Sequence, residues 1–304
     1  VTERKMPMAQ ANRISSMLNT VLGANRFPVK VDEVAMEYSR QCFADSPVGK
    51  VLGDDLEGLE GMLAANKDRS KWLIVYNSAV RSEGRKRFTI AHEFGHYMLH
   101  RHDQDRFECG DDDIETGDGN EQDIETEADK FASTLLMPLD DFRRQVDGQP
   151  IGFDLLGHCA DRYGVSLTAA ALRWIEIADN RAILVASRDD HMLWAKSNQA
   201  AFKSGAVFAT RKHTIELPRD ALAHSDNSSG TSQAQSIRAR SWFAREPSYV
   251  ELTEMTKVAA NYDYTLTLLL MPQAEWRQPQ HEDAEPEEDA FDRFINNGQF
   301  SDRK

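Results

Sequence analysis

Within Arg87–His100 apolar side chains recur at helical spacing, and the same stretch contains His92-Glu93-Phe94-Gly95-His96. The chain must therefore bury a helix that carries ionisable groups on one face. Histidines four apart lie about one turn from each other on that face, so both imidazoles can reach a single ion, and Glu93 points toward the same cavity. Two imidazoles, one oxygen ligand and one open position suit one zinc ion per chain, a Lewis acid that lowers the pKa of water to about 7. Glu93 is then the group that accepts a proton from water. The alternative is a chance match in a buried helix, and a third ligand from another segment is what argues against it.

Three residues compete for that place. His100 continues the four-residue series, but each step along a straight helix climbs about 6 Å, so three side chains of one helix cannot converge, and His100 belongs to helix surface or core. His102 has the His-Glu-x-x-His-x-x-Gly-x-x-His spacing, yet position 99 is Leu99 where that pattern turns on Gly. Glu125 opens Glu125-Thr-Glu-Ala-Asp129-Lys-Phe-Ala, where Glu125 and Asp129 share a face with Ala128 and Ala132, small enough for close helix approach. One carboxylate can ligate while Asp129 bonds an imidazole N–H and orients it. An ordinary acidic helix start gives the same pattern. Glu127 points elsewhere and is expected in solvent.

At 304 residues the chain is long enough for two domains, and 40% hydrophobic, 9% aromatic and 28% charged residues are globular values. Its longest apolar stretches, such as 266–271, fall far below the roughly 20 residues of a membrane helix, and Val1–Lys5 has no apolar leader. A cytoplasmic protein with no membrane partner is expected. Cys42, Cys109 and Cys159 are widely spaced, which argues against a disulfide scaffold. The net charge of -14 is concentrated in 103–127 (net -11) and 282–292 (net -7), and setting these aside leaves a body of +4. Nucleic acid is therefore not excluded as a ligand.

The fold class read from these patterns is α+β. Two helices over 8–40 cover a sheet from strands at 48–52, 58–64 and 72–76, followed by the motif helix, a mobile acidic loop, and a helix over 121–136 stopped by Met137-Pro138. Helices within 153–178, hinged at 163–166, resemble a helix-turn-helix. Alternating runs at 181–187, 191–196, 207–217, 237–245, 249–255 and 264–271 predict an antiparallel sheet, with a loop at 224–235. The tail from 273 to 304 is expected to be disordered, with a short helix at 289–295.

Arg87–His100, followed some thirty residues later by Glu125–Pro138, resembles the ImmA/IrrE metallopeptidase family over roughly 72–139, with Phe94 where Leu is commoner. The resemblance implies a zincin-like domain at 1–147 with His92, His96 and Glu125 as zinc ligands and Glu93 as catalytic base. It also implies a cytoplasmic endopeptidase that cleaves a helix-turn-helix repressor in response to stress, DNA damage or phage. A helical, helix-turn-helix-like connection at 148–180, a GAF/PAS-like sensor at 181–272 and an acidic tail at 273–304 would complete that order.

Three further expectations concern residues outside this core. Cys109, in the loop joining the two ligand helices, is a candidate inhibitory zinc ligand, because a thiolate can close a zinc shell. Cys42 and Cys159 sit in apolar helical contexts and are expected in the core. Arg238, Arg240, Trp242, Phe243 and Arg245, with Lys203, Arg211 and Lys212, form a basic and aromatic strip suited to single-stranded DNA or another signal ligand. An alternative function is a DNA-binding transcriptional regulator acting through 153–178, its metal site non-catalytic. Against it, the segment 167–177 carries Arg173 as its sole basic residue.

Overall fold

The computed structural model describes residues 6–110, 119–210, 212–224, 233–259 and 263–274. The acidic stretch 111–118, most of the loop expected at 224–235, Arg211, and the tail from 275 on, including the short helix expected at 289–295, lie outside the described residues. The described residues up to Pro272 form one compact unit.

The fold is α+β. Helices α1 (Pro7–Leu22) and α2 (Val31–Cys42) precede strands β1 (Val48–Asp54), β2 (Gly61–Ala65) and β3 (Trp72–Asn77). Helix α3 (Glu83–His100), strand β4 (Arg106–Cys109), and helices α4 (Gly119–Leu136) and α5 (Leu139–Val146) follow. The first sheet has the order β1-β3-β2-β4, with β1 parallel to β3 and β2 antiparallel to both of its neighbours. Helix α3 starts at Ser82, whose hydroxyl accepts the Arg85 amide at 3.3 Å, a side-chain N-cap. From Ala91 to Met98 every residue of α3 is buried, because one side packs on Leu63, Trp72 and Ile74 of the sheet and the other on Phe131, Ala132 and Leu135 of α4. A helix buried all round is normally apolar all round. His92, Glu93 and His96 inside it therefore need a chemical reason.

Gly95 supplies the close approach of α3 and α4. A Cβ at this position would lie 3.1 Å from the Ala128 Cα and 3.2 Å from the Phe131 ring, so the two backbones meet where any larger residue would hold them apart. Helix α4 ends at Leu136, and Pro138 caps α5, as the Met137-Pro138 stop predicts.

Helices α6 (Phe153–Tyr163) and α7 (Leu167–Ile175) are joined at Gly164, whose φ of 61° is left-handed. Their segment is packed on two sides. Cys159, Ala160, Tyr163 and Ala170 join the first core, while Phe153, Leu156, Ala171 and Ile175 lie against the second sheet. That sheet comprises β5 (Arg181–Arg188), β6 (His191–Ser197), β7 (Gln233–Arg238), β8 (Glu251–Ala259) and β9 (Tyr264–Met271), antiparallel in the order β6-β5-β9-β8-β7, with α8 (Gln199–Lys203) after β6. Strand β5 separates two cores by its alternation: Ala182, Leu184 and Ala186 face α6 and α7, and Ile183 and Val185 face the opposite layer.

Four expectations are corrected here. Residues 106–109 of the presumed mobile loop form β4, paired with β2, because Phe107 and Cys109 alternate inward. Among its described residues the expected strand 207–217 makes one bridge, Glu216 to His191; Phe208 instead stacks on Phe243 with ring centroids 4.9 Å apart, covering the sheet rather than extending it. The expected strand 237–245 leaves the sheet at Arg238 and makes a helical turn, since buried Ala239, Trp242 and Phe243 are spaced for a helix. Cys42 is exposed at the end of α2, whereas Cys159 is in the core as expected.

Candidate metal centre

Helix α3 projects His92 and His96 from one face, and α4 crosses it at Gly95 and Ala128, which brings Glu125 over both imidazoles. The two Nε2 atoms are 2.9 Å apart. Glu125 Oε2 lies 2.9 Å from His92 Nε2, and its Oε1 lies 3.2 Å from His96 Nε2. Cys109 adds a fourth donor from β4, its Sγ 3.5 Å from His96 Nε2 and 3.7 Å from Glu125 Oε2. All four donor atoms fall within 4.8 Å of one another. His92, His96 and Cys109 are buried, and Glu125 is partly so.

The outer contacts set which ring nitrogen faces this point. His92 Nδ1 lies 2.9 Å from Asp129 Oδ1 and donates to it in the tautomer that leaves Nε2 as a lone-pair donor. His96 Nδ1 lies 3.2 Å from His100 Nδ1, and His100 Nε2 lies 3.1 Å from Glu127 Oε2. A proton chain His96–His100–Glu127 thus fixes the second imidazole as Asp129 fixes the first. Phe107 stacks on His96 with centroids 4.7 Å apart and planes at 16°, closing the other side of that ring.

Glu93 lies beneath the cluster and is fully buried, with neither carboxylate oxygen hydrogen-bonded. Gly61 on β2 makes room for it, since a Cβ there would stand 2.6 Å from Oε1. Burial pushes the Glu93 carboxyl up to about 7, against the charge of His92 and a hydrogen-bonding pull from the nearby Cys109 thiol, although the thiol does not reach proper hydrogen-bond geometry to either oxygen. Burial works against a charged His92, yet the bonds to Asp129 and Glu125 outweigh it and hold the ring up at about 10, so a cation would have to take the place of the Nε2 proton to be held by this ring. Burial lowers His96 to about 4, so this ring is neutral, as a ligand must be. For Glu125 the two histidines overcome burial and keep the carboxyl well below the usual carboxylate range. Burial first, then the Glu93 and Glu125 charges, push the Cys109 thiol far up.

These residues fit a divalent cation. In a tetrahedral zinc shell with nitrogen and oxygen at about 2.0–2.1 Å, neighbouring donors stand about 3.4 Å apart. The observed separations of 2.9–3.2 Å are close to that with small outward adjustments. An unpartnered carboxylate buried beside the donors is costly in a merely structural cluster, and is what a site that handles a proton requires.

Of the three competitors for third ligand, Glu125 is in the cluster, His100 is buried behind His96, and His102 is exposed beyond the helix end. Asp129 is where its spacing with Glu125 placed it. Glu127, expected in solvent, is instead bonded to His100; two residues on from Glu125, it turns to the next histidine along α3. Of the two places expected for His100, helix surface or core, it takes the core; its link to Glu127 has its sequence signal in the four-residue step from His96 to His100. Tyr97 is packing: its hydroxyl donates to the Ser46 carbonyl at 2.9 Å and its ring stacks on Phe94.

The basic strip is not assembled on one strand. Arg238, Arg240, Arg245, Lys203 and Lys212 are exposed, but Trp242 and Phe243 are buried in the core beside Phe208. The Trp242 indole N–H points to Glu254 at 3.4 Å. Arg238 and Arg240 bond the carbonyls of Ser248 and Ala244.

Residues 55–174 match the family model described as the IrrE N-terminal-like domain, a peptidase family. The matched segment contains every donor of the cluster and runs on through α5 and α6 into α7. No curated protein matches the chain.

Proposed function

The chain carries a metallopeptidase domain of the ImmA/IrrE family at residues 55–174, and from that premise we propose that the protein is a zinc-dependent endopeptidase that cleaves a helix-turn-helix transcriptional repressor. On this reading a stress, DNA-damage or phage signal is sensed by a GAF/PAS-like region at 181–272, and the protein works in the cytoplasm. No helix among the described residues is long and apolar enough to cross a membrane.

His92, His96 and Glu125 would hold the ion, with Asp129 and the His100–Glu127 pair fixing the imidazoles. Zinc supplies Lewis-acid polarisation of a peptide carbonyl and lowers the pKa of water. Glu93 does the proton work: a carboxylate held near 7 takes a proton from the attacking water and returns it to the leaving amine nitrogen. Its burial keeps bulk water from competing for that proton. The observation that carries the reading is this unpartnered Glu93 beside two imidazoles and a carboxylate. A structural metal site has no use for such a group.

The packing of α7 weighs against the DNA-binding alternative. Ala170, Ala171, Arg173 and Ile175 are buried, and the Arg173 guanidinium donates to the Met137 carbonyl at 2.9 Å and to Glu176 at 2.6 Å. The sole basic residue of the would-be recognition helix is turned inward. Incubation with candidate helix-turn-helix repressors, sought first among the neighbouring genes, separates the two readings. The endopeptidase predicts cleavage by the zinc-loaded protein and none by Glu93→Gln; specific duplex binding without cleavage would favour the regulator.

A further inference from the structure

We infer that Cys109 is a fourth protein ligand to the same ion as His92, His96 and Glu125, and that the chain as folded holds its catalytic position closed until this sulfur is displaced. The inference rests on the metallopeptidase reading and adds its regulation.

The argument is geometric. Two imidazoles and one carboxylate leave one tetrahedral position for substrate. A thiolate at about 2.3 Å from zinc stands about 3.6 Å from nitrogen or oxygen donors at about 2.05 Å in a tetrahedral shell. The Cys109 Sγ is 3.5 Å from His96 Nε2 and 3.7 Å from Glu125 Oε2. Both spacings match sulfur sharing an ion with His96 and Glu125, and all four donor atoms lie within 4.8 Å of one another, beside the buried Glu93. Water attacking a peptide would need that same space.

The strand holds the sulfur there. Residues 106–109 pair with 64–61 of β2, and the Cys109 carbonyl accepts the Glu60 amide at 2.8 Å. Gly61, opposite Cys109, is the residue whose missing side chain admits Glu93. One register thus places both the thiol and the base. Among the described residues strand β4 is also the edge of its sheet, with β2 as its one neighbour. Of the strands in this sheet that reach the site, it is the one that can shift without breaking a second ladder. Displacement needs only rotation about the Cys109 side chain or local release of this short strand.

The test uses the full chain in its zinc and cobalt forms. Zinc X-ray absorption on the wild type is expected to show one sulfur at about 2.3 Å with nitrogen and oxygen neighbours. The cobalt form is expected to show a thiolate-to-cobalt charge-transfer band that Cys109→Ser and Cys109→Ala both lose. Zinc affinity by chelator competition should fall more than about tenfold in both variants, since removing even an outer-shell partner costs about 10–100-fold. Acetohydroxamate, a probe for a vacant coordination position, should bind the cobalt variants about tenfold more tightly than the wild type if the closed form is favoured about nine to one. Zinc bound by nitrogen and oxygen alone, or acetohydroxamate affinity unchanged by the substitutions, would overturn the inference while leaving the peptidase reading intact. Absence of bound metal in the wild type would overturn both.

Discussion

Replacing Glu93 by Gln should abolish peptide cleavage and, in chelator-treated protein, stabilise the fold in a pH-dependent way. The carboxyl is fully buried, both oxygens lack hydrogen bonds, and its pKa stands at about 7 against an ordinary 4.5. A carboxyl raised in the folded state weighs nothing against folding below its unfolded pKa. The penalty grows as pH rises from 4.5 and is complete above about 7. At about 1.4 kcal/mol per tenfold change, this gap corresponds to roughly 3 kcal/mol at pH 8. The amide removes the charge but buries polar atoms of its own at a cost of about 1 kcal/mol, leaving an expected gain of about 2 kcal/mol at pH 8 and near zero at pH 5. Urea denaturation of both proteins in EDTA at the two pH values measures this directly. No gain at pH 8, or an equal gain at both, would refute the claim that Glu93 is an unpartnered buried base.

Other substitutions probe the scaffold. Gly95→Ala should force α3 and α4 apart at Ala128, destabilising the protein by about 1–3 kcal/mol and weakening zinc binding together, measurable by melting and chelator competition. Glu127→Gln, which acts through His100 on His96, should weaken zinc binding about 10–100-fold with little loss of stability; unchanged affinity would remove the chain from the site. Asp141 is held below the ordinary carboxylate range because Arg162 and Tyr163 outweigh its burial. Its contribution is therefore fully present above its unfolded pKa and lost as pH falls below about 3.9 toward the folded value. Asp141→Asn should lower stability at pH 7 by about 1–3 kcal/mol and flatten the acid limb of the stability profile.

Helices α3 and α4 were legible in the sequence because two periodicities coincide in each. In α3 the apolar repeat that buries the helix also sets His92 and His96 one turn apart, and in α4 the spacing that aligns Ala128 with Ala132 aligns Glu125 with Asp129. Residues whose role depends on a partner from elsewhere were harder to read. Strand β4 is four residues long among acidic neighbours and owes its existence to pairing with β2, so Cys109 looked like a loop thiol. Glu127 reads as solvated until His100 is known to be buried opposite it. Trp242 and Phe243 alternate with arginines in a way that suggests an exposed strand, but their three- and four-residue spacing from Ala239 decides for a helical turn over a core.

Metal content against ligand identity tests the central claim most directly. Elemental analysis of purified wild-type protein should find one zinc per chain, and His92→Ala, His96→Ala and Glu125→Ala should each lose it while still folding by circular dichroism. A wild-type chain without stoichiometric metal, or a Glu125→Ala protein that keeps its zinc, would contradict a centre built from α3 and α4.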